Sequence, residues 1–225
     1  MLDILIISPH PDDAEMGMGG SIFAFKDKNL KVGILNLTNG EPTPYGSVEK
    51  RLKEAENSAK FLNVDYMEIL NFPNRFLMDS IEVRIEVAKR IRKLKPTILF
   101  IPYHLDAHPD HISASNIGLA SRFYAKLTKV DWEGEPHYPK RIIYYFSNHL
   151  KFQYPISFTI DISNYIEKKL KLIEIYESQF LHRIEQVKEI IKLKARYYGH
   201  LSNVEYAEPF FSYEIISLKE FNSLL

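Results

Sequence analysis

The stretch ILIISPHPDD, residues 4–13, decides the fold of this chain. An apolar run typical of a buried strand ends in a His-Pro-Asp tripeptide, and a segment of helical period follows. The same order recurs in ILFIPYHLDAHPDH, residues 98–111, where a second apolar run leads into a second His-Pro-Asp. Strand, turn and helix in this order form the repeating unit of α/β proteins. Both stretches therefore predict such a unit.

Short apolar runs alternate with helical segments throughout the first half of the chain. The runs cover residues 2–7, 32–37, 66–70 and 97–101, and the helical segments cover residues 14–28, 48–62 and 81–94, with a fourth helix from Pro109. Proline at position 96 stops the third helix. This alternation predicts a three-layer α/β/α architecture with a mainly parallel, Rossmann-like sheet.

The second half of the sequence adds strands and amphipathic helices to this architecture. Residues 141–146 and 157–160 are predicted strands, residues 162–176 and 184–198 are predicted helices, and residues 131–140 are a predicted surface loop. No change in composition marks a domain boundary. We therefore predict that residues 1–225 form a single domain.

Composition and charge exclude several classes of protein. The 29 basic and 29 acidic residues cancel, so no overall field attracts nucleic acid or an anionic membrane. Cysteine is absent, which excludes disulfides, thiolate nucleophiles and cysteine-ligated zinc. With no basic leader and no apolar run long enough to span a bilayer, we expect a cytoplasmic protein. A small neutral or mildly anionic molecule is the expected partner.

The two His-Pro-Asp motifs predict one composite site. Both follow strands, and ligands of open α/β sheets bind beyond the carboxyl ends of the strands, where strand order reverses. Pro11 and Pro109 are expected to begin helices. His10 and Asp13 are close enough in sequence to bind one metal ion, and His111 could supply a third ligand. Two histidines, a carboxylate and an open position form a catalytic zinc pattern.

The remaining polar residues of the motifs can be given roles in hydrolysis. Asp12 could take a proton from the attacking water as a general base. His108 could donate to the oxyanion that forms at a carbonyl, with Asp110 or Asp106 orienting its ring. A single His-Pro-Asp is also an ordinary turn and helix start. Its recurrence after two strands favours the metal site over this purely structural interpretation.

At these residues the sequence resembles the PIG-L or LmbE-like family of zinc-dependent N-acetylglucosamine deacetylases. The resemblance extends over nearly the whole chain and includes residues 17–20, 37–41, 51–55, 141–145, 176–180, 195–199 and 204–210. These stretches are most similar to the branch that deacetylates N-acetylglucosaminyl-malate in bacillithiol biosynthesis. The resemblance implies a single LmbE-like domain and, by analogy, a homo-oligomer, either a trimer or a hexamer.

The resemblance also implies roles for individual residues. It implies zinc (Zn²⁺) bound by His10, Asp13 and His111. It implies that Asp12 is the base and that His108 is both the oxyanion donor and the acid for the departing amine. These roles agree with those inferred from the motifs themselves.

Substrate contacts are predicted partly from the same resemblance, as for Arg51, and partly from side-chain chemistry, as for Tyr198. Arg51 would contact the sugar or its substituent, although a solvated helix position would also explain it. Tyr198 could line a sugar pocket, with core packing as the alternative. Asn39 and Tyr45 stand where that branch is expected to carry arginines, so two anchors for an anionic aglycone are missing. Arg75 could replace one of those charges.

We therefore predict a zinc-dependent amidohydrolase that releases acetate from an N-acetylglucosamine conjugate and leaves a free amine. N-acetylglucosaminyl-malate is the leading substrate. A family deacetylase acting on another N-acetyl sugar, chitobiose-like or inositol-linked, is the first alternative. A noncatalytic sugar-binding or nucleotide-binding module, in which the two motifs only start helices, is the second.

Overall fold

A computed structural model describes residues 1–146, 149 and 153–217 of the chain. The strands are β1 (Ile4–Ser8), β2 (Val32–Thr38), β3 (Tyr66–Phe72), β4 (Ile98–Pro102), β5 (Arg141–Tyr145), β6 (Phe158–Asp161) and β7 (Ala207–Phe211). The helices are α1 (Asp13–Asp27), α2 (Val48–Leu62), α3 (Ile81–Leu94), α4 (Pro109–Ala125), α5 (Ile166–Glu174), α6 (Glu177–Phe180) and α7 (Ile184–Leu201), with a turn of 3-10 helix at Leu181–Arg183.

The strands form one sheet in the order β3-β2-β1-β4-β5-β7-β6. The first five pair in parallel, and β7 is antiparallel to both β5 and β6. From β1 the chain passes to β2 and β3 on one side and then returns to β4 on the other side. Strand order therefore reverses at β1, and the turns after β1 and β4 meet at one edge of the sheet.

Hydrophobic side chains fill both faces of the sheet. Along β1, Leu5 and Ile7 belong to a core with helices α3 and α4, whereas Ile4 and Ile6 belong to a core with α1 and α5. Alternate residues of a strand point to opposite faces, and here both faces are covered by helices. This confirms the predicted three-layer α/β architecture with a mainly parallel sheet.

The two predicted helix starts differ in the structure. Pro109 is the first residue of α4, as predicted. Helix α1 begins at Asp13, not at Pro11, because Asp12 has a φ of 117° and lies in the left-handed region. A residue with this conformation cannot continue a right-handed helix, so Pro11 and Asp12 form a turn.

The second half departs further from the prediction. Strand β7 was not predicted, since its Glu208 and Pro209 are both disfavoured within strands. The helix predicted for residues 162–176 is shorter, and α6 follows it as a separate element. Helix α7 buries Val187, Ile191 and Ala195 along one face, as its amphipathic pattern predicts. Within the described parts of the chain, no helix is long and apolar enough to cross a membrane.

The glycines of α1 allow close packing. A Cβ atom on Gly17 would lie 2.6 Å from the ring of Tyr145, and one on Gly20 would lie 2.8 Å from Ile162. Real Cβ atoms do not approach other atoms this closely, so larger residues would push α1 away from its neighbours. These two glycines therefore serve the close packing of α1.

A buried carboxylate on β7 holds an irregular point of α1. Met18 departs from helical geometry and divides the helix in two. The carboxylate of Glu208 accepts hydrogen bonds from the backbone amides of Gly20 at 3.0 Å and Ser21 at 2.7 Å, and it pairs with Lys169 of α5. Negative charge is favourable at the start of a helical segment. Glu208 therefore joins the antiparallel part of the sheet to α1.

We expect Glu208→Ala to lower the free energy of unfolding by about 3–5 kcal/mol, because it leaves Lys169 buried and unpaired. Urea denaturation of the two proteins at the same pH measures this loss. The double variant Glu208→Ala/Lys169→Met should recover part of it by removing the unpaired charge. A loss below about 1 kcal/mol in the single variant, as for an exposed ion pair, would contradict the proposed joining role.

Candidate metal and catalytic site

The turns after β1 and β4 bring three potential metal ligands together. Asp13 Oδ2 lies 2.9 Å from His10 Nδ1 and 3.2 Å from His111 Nε2. One ligand atom from each residue lies within 4.8 Å of the other two. All three residues are buried. The structure thus places the three predicted ligands in one cluster.

An unpartnered nitrogen indicates that this cluster fits a cation. His111 Nε2 is buried and has no hydrogen-bond partner among the described residues, although Asp13 Oδ2 is only 3.2 Å away. Leaving a buried polar atom without a hydrogen bond costs about 1–3 kcal/mol. Two imidazole nitrogens and one carboxylate oxygen form a donor set suited to a divalent metal such as zinc. The residues present therefore fit a metal ion.

Each of these histidines is oriented by a further carboxylate. Asp110 Oδ2 lies 3.0 Å from His10 Nε2, and Asp106 Oδ2 lies 3.0 Å from His111 Nδ1. Carboxylates that bind the second nitrogen of a ligand histidine fix its tautomer and its ring orientation. The sequence-based role for Asp106 and Asp110 was the orientation of His108. The structure corrects it, since their side chains contact the other two imidazoles.

Asp110 is itself fixed by the loop after β3. Its carboxylate accepts hydrogen bonds from the backbone amides of Arg75 at 2.6 Å and Leu77 at 3.2 Å. Burial raises the pKa of Asp110, but the hydrogen bonds from His10 and from these amides outweigh burial and lower that pKa. The loop after β3 therefore holds Asp110 as an ionised partner for His10.

The charges in the cluster are strongly coupled. Burial opposes protonation of His10, but its hydrogen bonds to Asp110 and Asp13 raise its pKa to about 9. Burial is likewise outweighed at His111, whose pKa is raised to about 10 by the charge of Asp13 and the hydrogen bond to Asp106. Burial raises the pKa of Asp13, whereas His111 and His10 hold it well below its usual value. A metal ion would replace protons on these imidazoles.

Asp12 lies beside this cluster and is paired with an arginine from α2. Arg51 Nη2 lies 2.9 Å from Asp12 Oδ2 and also donates to the carbonyl oxygen of Pro11. Burial raises the pKa of Asp12 to about 7, against the opposing charge of Arg51. The Arg51 side chain is 2% exposed, which excludes the solvated interpretation. Its Nε and Nη1 atoms have no hydrogen-bond partner among the described residues.

His108 is held as a hydrogen-bond donor. Its Nδ1 accepts the backbone N–H of Asp110 at 3.1 Å, so the proton of the neutral ring lies on Nε2. Its ring centroid lies 4.9 Å from those of both His10 and His111. Burial and the charges of these two histidines lower its pKa to about 4. His108 thus presents a neutral imidazole N–H.

A cavity of about 560 Å³ opens next to these groups. Its lining includes His10, Asp12, Asp13, Arg51 and His108 from the predicted site, together with Met16, Gly40, Thr43, Asn74, Arg75, His149, Gln179, Phe180, Arg183, Val187, Ile190 and Lys194. Asp110 and His111 lie behind this lining. Tyr198, predicted to line a sugar pocket, borders a separate cavity of about 30 Å³. The structure therefore does not bring Tyr198 to the larger cavity.

Sequence reasoning left His149 outside the site, but the structure places it there. Its ring centroid lies 4.7 Å from that of His111, and its Nδ1 lies 3.8 Å from Asp106 Oδ1. It follows β5, which neighbours β4 in the sheet. A polar residue beyond the carboxyl end of that predicted strand was the signal that could have found it.

The fold and the site together define an α/β protein with a histidine–carboxylate site where strand order reverses. Residues 5–121 match the PIG-L family, described as GlcNAc-PI de-N-acetylase. The chain is 30% identical to the diacetylchitobiose deacetylase of Thermococcus kodakarensis, with 91% of this chain and 80% of that protein covered. It is 25% identical to a probable N-acetyl-alpha-D-glucosaminyl L-malate deacetylase 2 of Bacillus anthracis, with 82% and 84% covered.

A solved structure supports the same relationship. The crystal structure of a conserved protein from Thermus thermophilus superimposes with a TM-score of 0.90 at 37% identity, with 97% of this chain and 98% of that chain covered. The family match covers more than half of the chain. This chain therefore belongs to the PIG-L family.

We expect Asp106→Asn to weaken zinc binding about 10- to 100-fold, because the amide no longer supplies a charged partner for His111 Nδ1. Competition with a chromophoric chelator measures the dissociation constant. Asp79→Asn is the matched control, since Asp79 pairs with Arg84 and does not line the cavity. An unchanged zinc affinity in Asp106→Asn would contradict the orienting role.

Proposed function

We propose that this protein is a zinc-dependent hydrolase that removes the acetyl group from an N-acetylglucosamine-containing sugar. The observation that carries this proposal is the convergence of His10, Asp13 and His111, with an unpartnered His111 Nε2, beside Asp12 and His108. The names of the two curated relatives both describe deacetylases of N-acetylated sugars. These names support the same reaction in this chain.

Three residues would hold the metal, and Asp12 would act beside it. A zinc ion on His10, Asp13 and His111 would supply a Lewis acid that polarises a carbonyl and makes water more acidic. Asp12 would take the proton from the water that attacks the acetyl carbonyl carbon. Arg51, 2.9 Å from Asp12 Oδ2, would keep that carboxylate in one orientation.

His108 would stabilise the oxygen that gains charge during this attack. The backbone N–H of Asp110 occupies its Nδ1, so its Nε2–H is the group free to donate to the oxyanion. When the C–N bond breaks, the amine nitrogen takes the proton that Asp12 received. Acetic acid and a free amine are formed, the acid gives its remaining proton to solvent and leaves as acetate, and Asp12 is ionised again. His108 would serve only as the oxyanion donor and keep its proton, because its lowered pKa leaves the ring neutral. In this proposal the acid role that the resemblance implies for His108 passes to Asp12.

The comparisons support two sugar substrates. The relative that deacetylates diacetylchitobiose has the higher identity, 30% against 25%. The malate conjugate would need a cation for its carboxylates, and Arg75 and Arg183 line the cavity. Arg75 Nη2 already donates to the carbonyl oxygen of Pro42 at 2.7 Å, so its charge is partly committed. Diacetylchitobiose and N-acetylglucosaminyl-malate are therefore the two substrates to be assayed first.

We expect zinc-loaded protein to release acetate from at least one of these two sugars. Chelation should abolish the release, and added zinc should restore it, because protons that return to the imidazoles of His10 and His111 would neutralise Asp13 but supply no Lewis acid. Acetate is measured by a coupled enzymatic assay, with plain N-acetylglucosamine in parallel. Failure to bind zinc, together with no release from any sugar, would favour the noncatalytic binding module.

Asp12→Asn should lower kcat about 10²- to 10⁴-fold, because an amide cannot accept the proton of water. Zinc content should stay at the wild-type level, since Asp12 is not one of the three proposed ligands. Asp27→Asn, at the far end of α1, is the matched control. Turnover within about threefold of wild type, with zinc bound, would remove Asp12 as the base.

A further inference from the structure

Gln179 of α6 lines the cavity, and both of its N–H groups are already committed. Its Nε2 donates to Thr43 Oγ1 at 3.1 Å and to Ser178 Oγ at 3.0 Å. A primary amide has two N–H groups and one carbonyl oxygen. These two contacts therefore use both N–H groups of Gln179, and only its carbonyl oxygen, Oε1, is left to bind another group.

Two buried carboxylates determine which end of the amide faces the hydroxyls. Thr43 Oγ1 donates its proton to Glu41 Oε1 at 2.7 Å, and Ser178 Oγ donates its proton to Glu54 Oε2 at 2.5 Å. A hydroxyl has one proton. Both hydroxyl oxygens can then only accept from Gln179, so its NH₂ group must face them. The reverse orientation would place acceptors against acceptors.

The two carboxylates are fixed in this acceptor role. Glu41 Oε2 accepts the backbone N–H of Thr43 at 2.6 Å, and Glu54 Oε1 accepts the backbone N–H of Ser178 at 2.8 Å. Each carboxylate thus binds both the amide and the hydroxyl of a single residue, and both carboxylates are buried. The orientation of Gln179 therefore depends on two anchored groups.

Within the described residues, Gln179 Oε1 receives no hydrogen bond. We propose that this oxygen is a preset acceptor for a hydroxyl of the bound sugar. The proposal rests on the proposed function and refines its substrate class. An acceptor at this wall favours a hydroxyl-bearing ring and disfavours a carboxylate or phosphate at the same position, because those groups have no proton to donate.

Gln179→Met tests the proposal, because methionine keeps the length of the side chain and removes the acceptor. We expect KM for the deacetylated sugar to rise about 3- to 10-fold with kcat within about twofold, the pattern of lost uniform binding by one neutral hydrogen bond. Gln186→Met, at an exposed position of α7 that does not line the cavity, is the matched control. Zinc content and melting temperature are measured for both variants.

Deoxy analogues of N-acetylglucosamine substrates identify the hydroxyl and exclude a merely structural effect. Wild-type protein should lose affinity for one of the 3-, 4- and 6-deoxy analogues, and Gln179→Met should show no additional loss with that analogue.

Thr43→Val should reproduce part of the KM effect by removing a partner of Gln179 Nε2, and Thr43→Ser, which keeps the hydroxyl, should have the wild-type KM.

Two further results distinguish a failure of the acceptor role from a failure of the proposed function. An active wild type whose KM is unchanged by Gln179→Met, or equally raised for every deoxy analogue, would overturn the acceptor role and leave the proposed function standing. Zinc-loaded wild type that deacetylates none of the sugars would overturn the proposed function and this inference with it.

Discussion

The site depends on contacts that cross between its two motifs. Asp110 of the second motif binds His10 of the first, and Asp13 of the first lies against His111 of the second. These contacts exist because β1 and β4 are adjacent and parallel, with Ile4 opposite Ile98. Parallel neighbours deliver their following turns to the same edge of the sheet. Neither motif could form the site alone, so the site requires the sheet.

Gathering these groups has a cost that the surrounding structure offsets. Asp12 adopts a left-handed conformation, which costs a non-glycine residue about 1–3 kcal/mol, and His111 Nε2 is buried without a hydrogen bond. Asp12 lies in the turn after β1 and His111 in the first turn of α4, beyond the end of β4, and the residues of both strands are almost completely buried. The rigid sheet edge therefore keeps residues in conformations that a flexible loop would relax. Unfavourable features concentrated at one edge are typical of a functional site.

The convergence of His10, Asp13 and His111 could be predicted from the sequence because the relevant information is local and repeated. A strand, a His-Pro-Asp turn and a helix can each be recognised within about 15 residues. The residues that surround this cluster cannot be recognised from such local patterns. Glu208 in β7, His149 after β5 and Gln179 in α6 reach the core or the site only through the tertiary fold.

These residues gave little local signal. Glutamate and proline argue against a strand at β7, and its burial is explained only by Lys169 and the amides of α1, which are distant in sequence. Tyr198, in contrast, was predicted to line the sugar pocket but does not border the larger cavity. An aromatic residue at a helical position is compatible with a pocket or with packing, and only the fold places it beside a smaller cavity.

Helix α2 connects the two sides of the cavity through one rigid element. Arg51 and Glu54 are three residues apart, so they lie on the same face of the helix. Arg51 holds Asp12, the proposed base, whereas Glu54 holds Ser178 and through it the amide of Gln179. The separation between the proposed base and the proposed sugar acceptor is therefore set by one helical turn. A sugar held at Gln179 would meet Asp12 across this one turn of α2, whereas Thr43, in the connection between β2 and α2, would hold only the second N–H of the Gln179 amide.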